Sequence, residues 1–210
     1  MSKEILPMKV LVTGCSGYLG NYLCQRFSSG GFTVMGVDLQ QMAGEIDDFI
    51  LGDFSISEEV RERLSEVDCL IHTAAISGVS SAEKDAEQAI NINVNKFSIL
   101  LNSVKTINPK IRVFFLSTLD IVDLSTQSLD DLVNLETVYH FSKYMGEMLC
   151  MLFKKRVGLD IKIIRPSTLF GVNDFSGNRV LDIFLRSCLR NEPVTVFDAN
   201  KVLRFTSVED

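Results

Sequence analysis

The sequence predicts an α/β fold, a doubly wound parallel sheet with helices on both of its faces. Three observations carry that prediction. Short apolar runs at Val10–Val12, Thr33–Val37, Cys69–Ile71 and Arg112–Leu116 are separated by longer segments with helical apolar spacing. The first run ends in a glycine-rich turn, Thr13-Gly14-Cys15-Ser16-Gly17-Tyr18-Leu19-Gly20, and the second ends on an acid, Asp38. The chain has 210 residues, 46% hydrophobic and 23% charged, which is long and apolar enough to bury one sizeable core.

The stretch from Lys9 to Asp38 reads as one strand, turn, helix, strand unit, with the helix running from about Tyr18 to Ser29. Gly14 allows the tight turn out of the strand, Gly17 lets backbone approach a pyrophosphate, and Gly20 lets the helix lie against the sheet. Ser16, Tyr18 and Leu19 stand with these glycines at the helix N-terminus, where free amides and the positive dipole end attract phosphate. Asp38 is placed to accept hydrogen bonds from the adenosine ribose and to repel a 2′-phosphate, so the predicted cofactor is NAD and not NADP.

The following elements are read in order. Phe49–Leu51 forms a short strand closed by Gly52-Asp53-Phe54, and a helix spans Glu58–Glu66. Asp53 by itself suits an Asx turn or the cap of that helix. Cys69–His72 is a buried strand running into the small residues Thr73-Ala74-Ala75, and His72 reads as a structural histidine at the strand end. A long helix is expected from about Ala82 to Thr106, ended by Asn108-Pro109. Arg112–Leu116 is the fifth strand, with Ser117-Thr118 at its carboxyl end, the edge where open parallel sheets carry ligands. Tyr139 and Lys143 lie four apart on a helix and so on one face, while His140 reads as a surface residue. An ordinary tyrosine has a pKa of about 10, and a nearby ammonium favours the phenolate that can act as a base. Ile161–Pro166 is the sixth strand, Arg179–Arg190 an amphipathic helix and Val194–Phe197 a further strand.

Composition excludes several classes of partner. A formal net charge of −6 argues against a nucleic-acid surface, which draws its affinity from clustered Lys and Arg. Five singly scattered cysteines show no metal-type spacing and read as reduced thiols, so no metal is expected and the expected location is the cytoplasm. The first residues resemble neither a signal peptide nor an anchor, and no apolar run approaches a membrane span.

The Gly-x-x-Gly-x-x-Gly spacing preceded by Thr13, together with Tyr139-x-x-x-Lys143, resembles the extended branch of the short-chain dehydrogenase/reductase superfamily. That branch contains the NAD-dependent nucleotide-sugar epimerases and dehydratases, and its fold is of Rossmann type. The resemblance implies a dinucleotide-binding domain over residues 1–166 and a substrate-binding region over 167–210 that is only partial, because family members continue well beyond it. It implies that Asp53, beside Phe54, bonds the adenine amino group, and that Thr73, Ala74, Ala75, Asn93 and Pro166 line the cofactor. Asn93-Val94 matches the start of Asn-Val-x-Gly-Thr, but Lys96 and Phe97 stand in place of its Gly and Thr. That makes Asn93 safer as a structural hydrogen-bonder.

Laid without gaps on Ser-Thr-Asp-Glu-Val-Tyr, residues Ser117–Val122 put the catalytic hydroxyl at Thr118; the form with a third Ser would put it at Leu119, which cannot donate. Leu119 replaces the dehydratase acid, Asp120 stands where that branch has Glu, and Val122 replaces the Tyr, so the pattern favours an epimerase. Tyr139 is then the base, Lys143 its electrostatic partner, and Thr118 the residue that holds the substrate oxygen. Thr168 replaces a phosphate-reaching Asn, and a one-residue slide recovers Arg204 as a phosphate ligand where the gapless match gives Leu203. The expected substrate is a nucleotide sugar and the expected assembly a homodimer through the long helices. Two other readings stay open: an NAD(H)-dependent reductase or dehydrogenase of a small carbonyl compound, and a non-catalytic NAD-sensing or scaffold protein.

Overall fold

The strand that leads into the glycine turn, β1 (Lys9–Thr13), sits inside a six-stranded sheet whose strands all run parallel. The computed structural model describes residues 7–124, 135–171, 180–196 and 203–210. The other strands are β2 (Thr33–Asp38), β3 (Asp48–Leu51), β4 (Cys69–His72), β5 (Arg112–Leu116) and β6 (Ile161–Ile164). Their order is β3-β2-β1-β4-β5-β6, so the winding direction reverses between β1 and β4. Ligands of open α/β sheets bind at such a reversal, outside the carboxyl ends of the strands.

Burial on both faces explains why the strands are continuous apolar runs and not alternating ones. On one face Leu11, Leu70, Val113, Phe115 and Ile161 pack with residues of α2 (Glu58–Leu64), α5 (Phe97–Ile107) and α6 (Val138–Val157). On the other, Val10, Val12, Val34 and Ile71 pack with α1 (Tyr18–Ser29) through Cys24, Leu19 and Leu23. Helix α6 begins at Thr137, whose side chain accepts from the His140 amide at 3.2 Å. It ends at Gly158, whose φ of +78° is the left-handed cap that glycine adopts without strain.

The single long helix expected from Ala82 is broken at Asp85 and changes register beyond it. Helix α3 (Val79–Lys84) stops at Asp85, which turns to φ −143° and ψ 80° and caps α4 (Ala86–Ile90) by accepting from the Gln88 amide. A π-helical segment, Asn91–Lys96, then leads into α5. Asn93 lies within that segment and is 3% exposed.

The chain divides into two compact units, Met1–Arg165 and Pro166–Asp210. In the second, β7 (Thr168–Phe170) pairs in parallel with β8 (Phe205–Ser207), with α7 (Val180–Leu189) between them in sequence. The sequence reading assigns neither segment to a strand; pairing across the unit, with the Thr168 amide donating to the Arg204 carbonyl at 3.3 Å, makes them strands. Val194–Val196 form no strand, and Phe197 lies outside the described residues.

Candidate active site

The turn after β1 is built by close backbone approach. Gly14 has φ +74°, and a Cβ there would lie 2.6 Å from the Ala74 amide nitrogen of the β4 loop. A Cβ on Gly20 would overlap the Gly14 carbonyl, so α1 can reach the turn only through glycine. Gly17 is the N-cap of α1, no side chain caps the first turn, and that turn carries no acid. The helix therefore presents a positive end to an anion with no acid in its own first turn to oppose it. Asp38 spans the mouth of the turn: its Oδ2 accepts from the Ser16 amide and its Oδ1 from the Gln40 amide, both at 3.0 Å. Two of its roughly four lone-pair sites stay open for hydroxyl donors. A cradle that side chains would fill, a bare helix N-terminus and an aimed carboxylate together fit a dinucleotide with an unphosphorylated ribose. Ser16 contributes its amide, while its hydroxyl donates to the Gln40 carbonyl at 2.7 Å.

Below the turn, Thr13 Oγ1 and His72 Nδ1 share a hydrogen bond of 2.7 Å, and Thr73 Oγ1 donates to the Thr13 carbonyl at 2.7 Å. These bonds fix the Thr73-Ala74-Ala75 loop against β1. His72 is 1% exposed and stacked on Phe97 at 4.5 Å between ring centres. Burial, with the Lys143 charge nearby, pulls it down to about 3, so it is neutral and structural. Phe54 also belongs to this aromatic column, edge-on to His72 at 5.0 Å, and its side chain is core.

Asn93 fills its hydrogen-bonding capacity within the protein. Its Oδ1 accepts from the Ile76 amide at 2.8 Å, and its Nδ2 donates to the Ile76 carbonyl and Ser142 Oγ at 3.0 and 2.9 Å. It ties the β4 loop to α6, which makes it a structural hydrogen-bonder. Asp53 accepts from the Ser55 amide at 2.9 Å and the Ser55 hydroxyl at 2.7 Å, an Asx-type turn, while Ser57 caps α2. It also pairs with Lys96, a partner that its place 43 residues away in sequence could not disclose.

Two of the candidate catalytic groups, Lys143 and Thr118, lie at the carboxyl edge of β5. Lys143 is 5% exposed, donates from Nζ to the Leu116 carbonyl at 2.8 Å and sits 5.3 Å from the Phe115 ring centre. Burial pushes its pKa from 10.5 down to about 8. Two residues beyond Leu116, Thr118 is buried and donates to Asp120 Oδ2 at 3.2 Å. Tyr139 lies one helical turn before Lys143, and the Ser142 hydroxyl donates to its carbonyl at 2.8 Å, which anchors the start of α6. His140, expected at the surface, is only partly exposed: its side chain is 17% exposed and Nε2 lies 3.8 Å from Asp120 Oδ2 on the short helix Leu119–Leu124, which packs against α6. Pro166, Thr168 and Arg204 belong to the second unit.

Comparison with known proteins follows this geometry. Residues 10–210 match the model of the NAD dependent epimerase/dehydratase family. An uncharacterized UDP-glucose epimerase of Bacillus subtilis is 26% identical over 97% of this chain and 70% of its own length. A UDP-N-acetyl-alpha-D-glucosaminuronate decarboxylase of Bacillus cytotoxicus is 24% identical over 98% of this chain and 69% of its own. The solved UDP-glucuronic acid 4-epimerase of Bacillus cereus, in complex with UDP-glucuronic acid and NAD, superposes with a TM-score of 0.79. It is 25% identical and is matched over 96% of this chain and 70% of that one. The glycine cradle, the Asp38 carboxylate at its mouth and the match over nearly the whole length agree: this chain belongs to the NAD dependent epimerase/dehydratase family, enzymes whose cofactor is NAD.

Proposed function

We propose that this protein is a nucleotide-sugar epimerase that oxidises a substrate hydroxyl carbon transiently and returns hydride to the opposite face. The observation that carries this reading is the seat of Lys143, held at the Leu116 carbonyl two residues before Thr118 and one turn after Tyr139. A phenol, a buried cation and a hydroxyl then serve one strand end. Bound NAD supplies a two-electron acceptor that takes and gives back hydride. Tyr139 Oη receives the proton of the substrate hydroxyl as the carbon–oxygen double bond forms, and gives it back on reduction. Lys143 supplies the positive charge that favours the phenolate, and the Thr118 hydroxyl turns from Asp120 to hold the substrate oxygen. Leu119, in the place of the dehydratase acid, provides no group to expel a neighbouring hydroxyl.

Thr168 and Arg204 are the proposed ligands of the nucleotide phosphates. A homodimer is proposed through the helices of the first unit. Ile99 on α5 and Phe141, Met151 and Leu152 on α6 are 41–49% exposed, and Phe141 and Leu152 stand three helical turns apart on one face.

The test is incubation with UDP- and dTDP-hexoses and analysis of the sugars by NMR. Interconversion of at least one epimer pair, without net change in NAD, is the expected result. Net consumption of added NADH without an epimerised product would establish a reductase of a carbonyl compound instead.

A further inference from the structure

Asp53 follows β3 at the carboxyl edge of the sheet, beside the end of β2, where the Gly52 amide donates to the Asp38 carbonyl at 2.8 Å. Asp38 and Asp53 therefore occupy neighbouring strand ends on the adenosine side of the dinucleotide crevice. The Asp53 carboxylate is clamped from both sides. Oδ1 takes the Ser55 amide and hydroxyl, and Oδ2 takes the Lys96 ammonium. The two paired side chains are 24% and 18% exposed, so water screens them weakly. These bonds hold the Asp53 pKa below the usual carboxylate value against the opposing effect of burial. Three of about four lone-pair sites are filled, and the remaining one is on Oδ2. Lys96 is the last residue of the π-helical segment that also carries Asn93.

We propose that Lys96 is a positioning residue for the cofactor: it fixes the Asp53 carboxylate, ionised, with its one open acceptor turned toward the six-amino group of the adenine. The site then tells adenine from a purine that carries oxygen at that carbon, because carbonyl oxygen and carboxylate would face each other acceptor to acceptor. Lys96 replaces the glycine of the family pattern, so this clamp is a feature of this chain. It concerns the binary complex with dinucleotide alone, and so its failure is separable from failure of the epimerase reading.

The experiment is calorimetric titration of NAD, and of nicotinamide hypoxanthine dinucleotide, into wild type, Lys96→Met and Lys96→Arg without sugar. Wild type should prefer NAD by about tenfold or more, the scale of one unsatisfied buried acceptor. Lys96→Met should lose most of that preference along with NAD affinity, and Lys96→Arg, which restores the cation, should regain it. A tether that only joins β3 to the helix would weaken both dinucleotides by one factor and leave their ratio unchanged, and that result would overturn the proposal. So would a wild type that binds the two equally. If Lys96→Met does not fold, judged by its melting temperature without cofactor, Asp53→Asn takes its place and should likewise lose the preference; an unchanged ratio there overturns the proposal too.

Discussion

Removing the charge of Lys143 should leave this protein about as stable at neutral pH, and inactive. The ammonium is 5% exposed, and its pKa falls from 10.5 to about 8 because burial strips its water. At ~1.4 kcal/mol per unit, keeping it charged at neutral pH costs about 3 kcal/mol. Lys143→Met retains the apolar stem and removes that penalty. Against it stand the lost bond to the Leu116 carbonyl, ~1.5 kcal/mol, and the lost contact with the Phe115 ring, ~2 kcal/mol for a desolvated cation. The two sides nearly cancel, so the variant should lie within about 1 kcal/mol of wild type at pH 7 in urea unfolding, although a buried charge has been removed.

The pH dependence gives the sharper form. Between about pH 8 and 10.5 the unfolded lysine still holds a proton that the folded one has released. Wild type therefore gains stability with rising pH across that window, relative to the variant, and exceeds it at the alkaline end. The raised thiol pKa values of Cys15, Cys24 and Cys69 lower stability with rising pH in both proteins and cancel in the difference, whereas Cys150, also raised by burial, feels the Lys143 charge and enters the difference. Parallel stability curves from pH 7 upward would refute a desolvated ammonium at this position.

Three further outcomes follow from the packing. Gly14→Ala forces a side chain into φ +74° and against Ala74, so NAD affinity should drop tenfold or more in calorimetry while circular dichroism stays native; unchanged affinity would contradict the cradle. Phe97→Thr, which restores the residue of the family pattern, empties the stack between His72 and Phe115 and should cost about 3 kcal/mol in urea unfolding. Light scattering at micromolar concentration should show a dimer that Leu152→Asp converts to monomer, and a monomeric wild type would remove the helix-face assembly.

The parts of the fold that could be read from the chain are those written in local pattern. Helix α1 falls at Tyr18–Ser29 as read, because the turn glycines start it and Gly30 and Gly31 end it. Strands β1, β2, β4 and β5 were visible because a doubly covered parallel strand leaves a short unbroken apolar run. The break before α4 had a signal that a long apolar periodicity hid: Asp85 followed three residues later by Gln88 is a capping pair. Other features had no local signal. The Lys96–Asp53 pair, the inward turn of His140 and the pairing of β7 with β8 each join residues that only tertiary folding brings together. The π-helical register of Asn91–Lys96 likewise leaves no compositional trace, since Asn-Ile-Asn-Val-Asn-Lys reads equally as ordinary helix.

The central claim is that the Tyr139 phenol moves the proton of the substrate hydroxyl. Tyr139→Phe, titrated with NAD and then mixed with a nucleotide sugar that wild type turns over, tests it most directly. The variant should bind NAD as wild type does, yet form neither reduced nicotinamide absorbance nor epimerised sugar; turnover at the wild-type rate would show that another group is the base.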